Sequence, residues 1–247
     1  MRRPRHAMGG AGLGLGCLAA LCAAAPAFAA PDISGLWVLA HESPTSIPAR
    51  RRIPQTLEGS PPPLQPSAAK LYEQRLSDSD RGRPFAALSN HCITGGMPNV
   101  MTDAFLPFQL IQSPGQVTFL FEVFHVFRIV RMGGRHPRDF DPNFFGDSVG
   151  HWEGDTLVID TIGISDKTTL DVAGMPHSSG LHLVERLRRT GPKTLEDLVT
   201  VDDPETFTRP WTTRVSYKQS EYPLQEYICE NNRNTPTADG HSSFQAR

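Results

Sequence analysis

The stretch Ser148-Val149-Gly150-His151-Trp152-Glu153-Gly154-Asp155-Thr156-Leu157-Val158-Ile159-Asp160 constrains the fold more than any other, because it reads as a complete β-hairpin with ionisable groups set among core residues. Gly154-Asp155 is a two-residue turn that opens with glycine, and alternating sequence flanks it on both sides. Pairing across it sets Glu153 opposite Thr156, Trp152 opposite Leu157, His151 opposite Val158 and Gly150 opposite Ile159. One face then carries Gly150, Trp152, Leu157 and Ile159. The other carries Val149, His151, Glu153, Val158 and Asp160. Diagonal neighbours on one face stand about 7–8 Å apart, so His151 and Asp160 are expected within reach of each other. The plainer alternative is that this second face is simply solvated.

The N-terminus has the layout of a secretory signal peptide: Arg2, Arg3 and Arg5, an apolar run from Ala11 to Ala25, then Ala27-Phe28-Ala29. Cleavage after residue 29 leaves 21 basic against 26 acidic residues, a net charge of −5. That balance gives no reason to expect a nucleic-acid or anionic-membrane partner. No other run approaches the roughly 20 apolar residues that span a bilayer, so no membrane insertion is expected after signal removal. Cys92 and Cys229 are the cysteines left after cleavage, and in a periplasmic or secreted setting they are expected to pair. Residues 30–247 are read as one domain, with 43–107 mostly irregular.

Asp32-Ile33-Ser34-Gly35-Leu36-Trp37-Val38-Leu39 reads as a strand with a Gly-x-Trp opening. Lipocalin-type barrels place such a motif on the first strand, where the tryptophan closes one end. Residues 43–66 hold seven prolines and the cluster Arg50-Arg51-Arg52, an irregular excursion. A short helix with Ser67 as cap is expected from Ser67 to Leu76. Short strands follow at Gln116–Phe124, His125–Met132, Val149–Glu153, Thr156–Ile162, Leu181–Arg189, Leu195–Val201, Trp211–Gln219 and Glu226–Cys229. About nine strands and one short helix predict an all-β fold, an antiparallel meander barrel of the lipocalin or calycin kind.

In Leu181-His182-Leu183-Val184-Glu185-Arg186-Leu187, an apolar stripe is interrupted by Glu185, which the alternation points at the core. Unpaired carboxylates are expensive there, so Glu185 has either a buried cationic partner or a tuned acid–base role. The run Phe119-Leu120-Phe121-Glu122-Val123-Phe124-His125-Val126-Phe127 suits an apolar pocket in a barrel, with His125 as a polar contact or a satisfied core histidine. His177-Ser178-Ser179 invites a serine nucleophile, but no Gly-x-Ser-x-Gly elbow is present. His136, His151 and His177 lack zinc-site spacing, and Gly-x-Gly-x-x-Gly and P-loop patterns are missing, so neither metal nor nucleotide cofactor is expected.

The block from Ser148 to Thr161, with Pro176-His177-Ser178, Leu181-His182-Leu183-Val184-Glu185-Arg186, Asp202-Asp203-Pro204 and Glu226-Tyr227-Ile228-Cys229-Glu230-Asn231, resembles a large family of exported, mostly uncharacterised bacterial proteins. The likeness supports the fold and the weight of the central block. The reading is an exported enzyme of lyase, isomerase or hydratase type, using cofactor-free acid–base chemistry on a small apolar, aromatic molecule. Its catalytic set is His151 oriented by Asp160, Glu185 as second acid or base, and His177 on a loop. Trp152, Phe119, Phe121, His125 and Arg186 are the expected substrate contacts. The competing reading is a periplasmic carrier with the same barrel and no turnover.

Overall fold

The structure is a computed structural model that describes residues 31–40, 54–83, 85, 92–102, 107–228, 234–236 and 242–244. The expected signal segment, the arginine cluster 50–52 and Cys229 lie outside these residues, and with Cys229 lies the expected disulfide. Nine strands close into a barrel in chain order: β1 Gly35–Leu39, β2 Phe108–Ser113, β3 Gln116–Phe121, β4 Phe127–Met132, β5 Asp147–Glu153, β6 Thr156–Ile162, β7 His182–Gly191, β8 Thr194–Asp202 and β9 Trp211–Gln219. Two further short strands, β10 Asn234–Pro236 and β11 Ser242–Phe244, pair only with each other. The helices are α1 Pro66–Asp80 and α2 Asn99–Thr102.

The central hairpin forms in the expected register, with Glu153 opposite Thr156 and Gly150 opposite Ile159. Gly154 takes φ 62°, the left-handed conformation that its turn position needs. Strand count and class follow the sequence, but there are four differences. β2 takes the place of the strand expected at Glu226–Cys229. Its signal was present in Ser113-Pro114-Gly115-Gln116, a tight turn between two alternating runs, which pairs Ser113 with Gln116. β3 stops at Phe121 instead of Phe124, because Phe124 and His125 take left-handed φ values of 57° and 49° in a short turn. There the His125 imidazole accepts the Tyr227 N–H at 2.9 Å and the Glu122 carboxylate accepts the Gln225 N–H at 2.8 Å. The segment expected to pair as a strand is thus held by side chains, and 226–228 has no ladder to join.

The third difference is a parallel seam. β4 and β5 are joined by a crossover, residues 133–146, and run parallel in a barrel whose other neighbouring strands are antiparallel. A Cβ on Gly150 would stand 2.7 Å from the Val130 side chain, so glycine is what lets this seam close. Helix α1 is longer than expected. It starts at Pro66, with Gln65 rather than Ser67 at the cap position, since proline presets the first helical φ and needs no N–H.

The barrel has two unlike ends. Trp37 closes one, as its motif implies: its indole N–H donates to the Ile33 carbonyl at 3.1 Å and the Arg189 guanidinium lies 5.1 Å over its ring. Arg189 also donates to the Ser34 carbonyl, tying the chain before β1 to the end of β7. The opposite end is covered by α2 and the segment before it. Met97 N–H donates to the Phe144 carbonyl at 2.8 Å, and the buried Tyr217 hydroxyl reaches up from β9 to the Met101 carbonyl at 2.9 Å. No helix among the described residues is long and apolar enough to cross a membrane.

Candidate active site

Inward-facing positions on the barrel wall are mostly apolar, with Phe108, Phe119, Leu157, Ile159, Leu187 and Val199 fully buried. Six consecutive strands interrupt that pattern with a polar side chain: Arg128 on β4, Ser148 on β5, Thr161 on β6, Glu185 on β7, Asp197 on β8 and Tyr217 on β9. These side chains meet in the interior. Arg128 Nη1 donates to Glu185 Oε1 at 2.9 Å and Nη2 to Glu185 Oε2, the two-pronged geometry that suits a guanidinium and a carboxylate. Nη2 also donates to Thr161 Oγ1 at 2.8 Å, and Nε donates to Ser148 Oγ at 3.0 Å. The guanidinium lies 5.4 Å from the Phe119 ring centre. Glu185 is therefore a core carboxylate with a buried cationic partner, one of the two outcomes its position on the apolar stripe allowed.

Asp197 is 0% exposed, and neither of its carboxyl oxygens meets a hydrogen-bond partner among the described residues. Burial, and then the charge of Glu185, push its pKa well above the ordinary carboxylate value, while Arg128 offsets part of this. Both effects favour its neutral form inside the barrel. Tyr217 is held as a neutral phenol for related reasons, with burial raising its pKa most and the Asp197 and Glu185 charges adding to it. Asp197 escaped sequence reasoning, yet Leu195, Asp197, Val199 and Val201 form the same kind of interrupted stripe that exposed Glu185.

The other predicted residues lie elsewhere. The expected His151–Asp160 pair does not form. His151 is exposed and its Nε2 sits 3.1 Å from Glu153 Oε1, while Glu153 Oε2 accepts Arg186 Nη2 at 2.7 Å. Arg186 and His151 together hold the Glu153 carboxyl below its ordinary value. Asp160 instead receives His136 Nε2 at 2.9 Å and His182 Nε2 at 3.1 Å, and His136 Nδ1 meets Asp147 at 2.6 Å. All of these belong to the outer face of β5, β6 and β7 or to the crossover, so the sheet wall separates His151 and Asp160 from Glu185. Arg186 faces outward too, paired with a carboxylate. Among the described residues, no group of three or more histidine, cysteine or acidic side chains has an arrangement that could hold a metal ion.

His177 is buried in the loop that follows β6, between Thr168 Oγ1 and the Ser178 carbonyl, each at 2.8 Å. Burial lowers its pKa, partly opposed by the Ser178 carbonyl and by Asp203. The neighbouring Ser178 hydroxyl donates to Asp203, whose other oxygen accepts the Ser178 N–H, both at 2.7 Å. The imidazole is not placed to activate that hydroxyl, which removes the serine-nucleophile arrangement. His125 serves as a backbone clasp. Of the expected substrate contacts, Phe119 and Phe121 do line the interior, 6.2 Å apart and nearly parallel, and the partly buried Trp152 packs against the same core. No family model, no curated protein and no solved structure matches the chain.

Proposed function

We propose that the barrel interior is a small-molecule site for cofactor-free acid–base chemistry of the lyase, isomerase or hydratase type, with Asp197 as acid and Glu185 as base. The observation that carries this reading is the wholly buried group of Arg128, Glu185 and Asp197. Apolar residues of similar size would fill a barrel core at lower free-energy cost, because charges and unbonded carboxyls are expensive to desolvate. A protonated acid beside an ionised one is also the pairing that acid–base catalysis uses. In a dehydration, Glu185 would take a proton from carbon while Asp197 gives its proton to the departing hydroxyl, releasing water. Return of the proton from Glu185 to Asp197 would then reset both groups. Tyr217, kept neutral, can orient the oxygen only after releasing the Met101 carbonyl.

Phe108, Phe119 and Phe121 give that interior an aromatic wall, which favours a small aromatic substrate. The proposal keeps the exported setting, with residues 1–29 removed, a Cys92–Cys229 disulfide and membership of the exported bacterial family that the central block resembles. Turnover of phenolic and terpenoid compounds by the mature protein is the test, with Asp197→Asn alongside. Turnover abolished with binding kept supports the enzyme. Binding without turnover in the unaltered protein identifies a carrier and overturns the catalytic roles.

A further inference from the structure

The interior group also restricts the charge of what it can accept, an inference that rests on the barrel interior being the site. Arg128 has five N–H donors, and four are used: one by Ser148, one by Thr161 and two by Glu185. Its positive charge is matched by the Glu185 carboxylate it grips. Among the described residues Arg186 and Arg131 are engaged on the outer face, and Arg189, at the Trp37 end of the barrel, lies over the Trp37 ring and donates to the Ser34 carbonyl. An anionic ligand would meet Glu185 at close range, in a low-dielectric interior, without a counter-charge. A carboxylate or phosphate is therefore a poor occupant.

Asp197 supplies the opposite signal. With Arg189 Nε and the Trp211 indole nitrogen it is one of three buried polar groups that meet no hydrogen-bond partner among the described residues, and it is the one beside Glu185; a carboxyl in the protonated state both donates and accepts a hydrogen bond. A group left this way is destabilising, and a ligand oxygen placed against it removes that penalty. Phe119 and Phe121 supply ring faces on the same interior surface.

We infer that the ligand is an uncharged aromatic molecule carrying a hydroxyl or carbonyl oxygen, bound with that oxygen against the Asp197 carboxyl. A cationic amine is disfavoured for a different reason, the cost of desolvating a second ion pair. It would have to ionise Asp197 beside Glu185, placing two anions against Arg128 and the amine in a dry core.

The test is a matched set built on one skeleton: cinnamyl alcohol, cinnamaldehyde, cinnamate, cinnamylamine and β-methylstyrene. Their dissociation constants for the mature protein are measured at pH 7 by quenching of the intrinsic tryptophan fluorescence, with thermal shifts as a second readout. The alcohol or the aldehyde is expected to bind roughly tenfold or more tightly than the anion, the amine and the hydrocarbon. Asp197→Leu is expected to bring the alcohol and β-methylstyrene to equal affinity, whereas Asp197→Asn keeps the preference. Cinnamate or cinnamylamine binding as tightly as the alcohol overturns the inference, leaving the interior site standing. So does an alcohol preference that survives Asp197→Leu. If that variant fails to fold, the ratio of alcohol to cinnamate in the unaltered protein decides the matter alone. If no member of the set binds, the interior reading itself falls, and the inference with it.

Discussion

Strands β5, β6 and β7 carry two polar clusters back to back, and the wall between them gives the same residue types opposite meanings. Outside, Asp147, Asp160 and Glu153 are shared among His136, His182, His151, Arg131 and Arg186 in contact with water. Inside, Ser148, Thr161 and Glu185 surround Arg128 with no water-facing surface. The outer cluster is larger and has more ion pairs. The inner one has the greater energetic weight, because every broken contact there leaves a charge that water cannot reach.

Breaking that contrast should show first in stability. Glu185→Ala strands the Arg128 guanidinium and is expected to cost about 3–5 kcal/mol in urea unfolding. The double change Arg128→Met with Glu185→Leu should cost clearly less than Glu185→Ala, because neither charge is then left behind. Equal losses for the two would mean that shape, not charge, governs the core. Gly150→Ala, which drives a methyl into Val130 at the parallel seam, is expected to cost about 1–3 kcal/mol.

Asp197 should respond in the opposite sense to the ion pair. Its folded pKa is raised, so the folded state holds a proton that the unfolded chain releases above about pH 4. Its contribution is therefore fully present below that pH and is lost as pH rises toward the folded value. Asp197→Leu should remove this slope and leave the protein equally or more stable near neutral pH. A unchanged slope in the variant would mean another group carries it. His177 runs the other way: its pKa is lowered, so the unfolded chain takes up a proton first as pH falls below about 6.5, and stability drops there. His177→Gln should flatten that drop in a series of melts from pH 7 to 5. Smallest of all, Asp160→Asn on the outer face should change stability by no more than about 1 kcal/mol, with the effect fading in salt.

The legible parts of this molecule were those written into local periodicity. The Gly154-Asp155 hairpin and its register, the inward aim of Glu185 and the sealing role of Trp37 all follow from alternation, a turn pair and a short motif. The missed parts were of two kinds. Asp197 was readable by the argument used for Glu185, because it interrupts an apolar stripe in the same way. The parallel pairing of β4 with β5, and the capture of residues 225–227 by Glu122 and His125, had no local signature.

What the sequence determined by itself was which side of the sheet each residue occupies, since in a strand that depends only on whether its position is odd or even. Partnership was decided by the tertiary structure. His151 and Asp160 share a face and still do not meet, because Glu153 lies nearer to one and two histidines from the crossover and β7 reach the other. Arg128 and Glu185, separated by 57 positions, meet because closing nine strands into a barrel turns both inner faces toward one dry interior, where each charge is tolerated only in contact with the other.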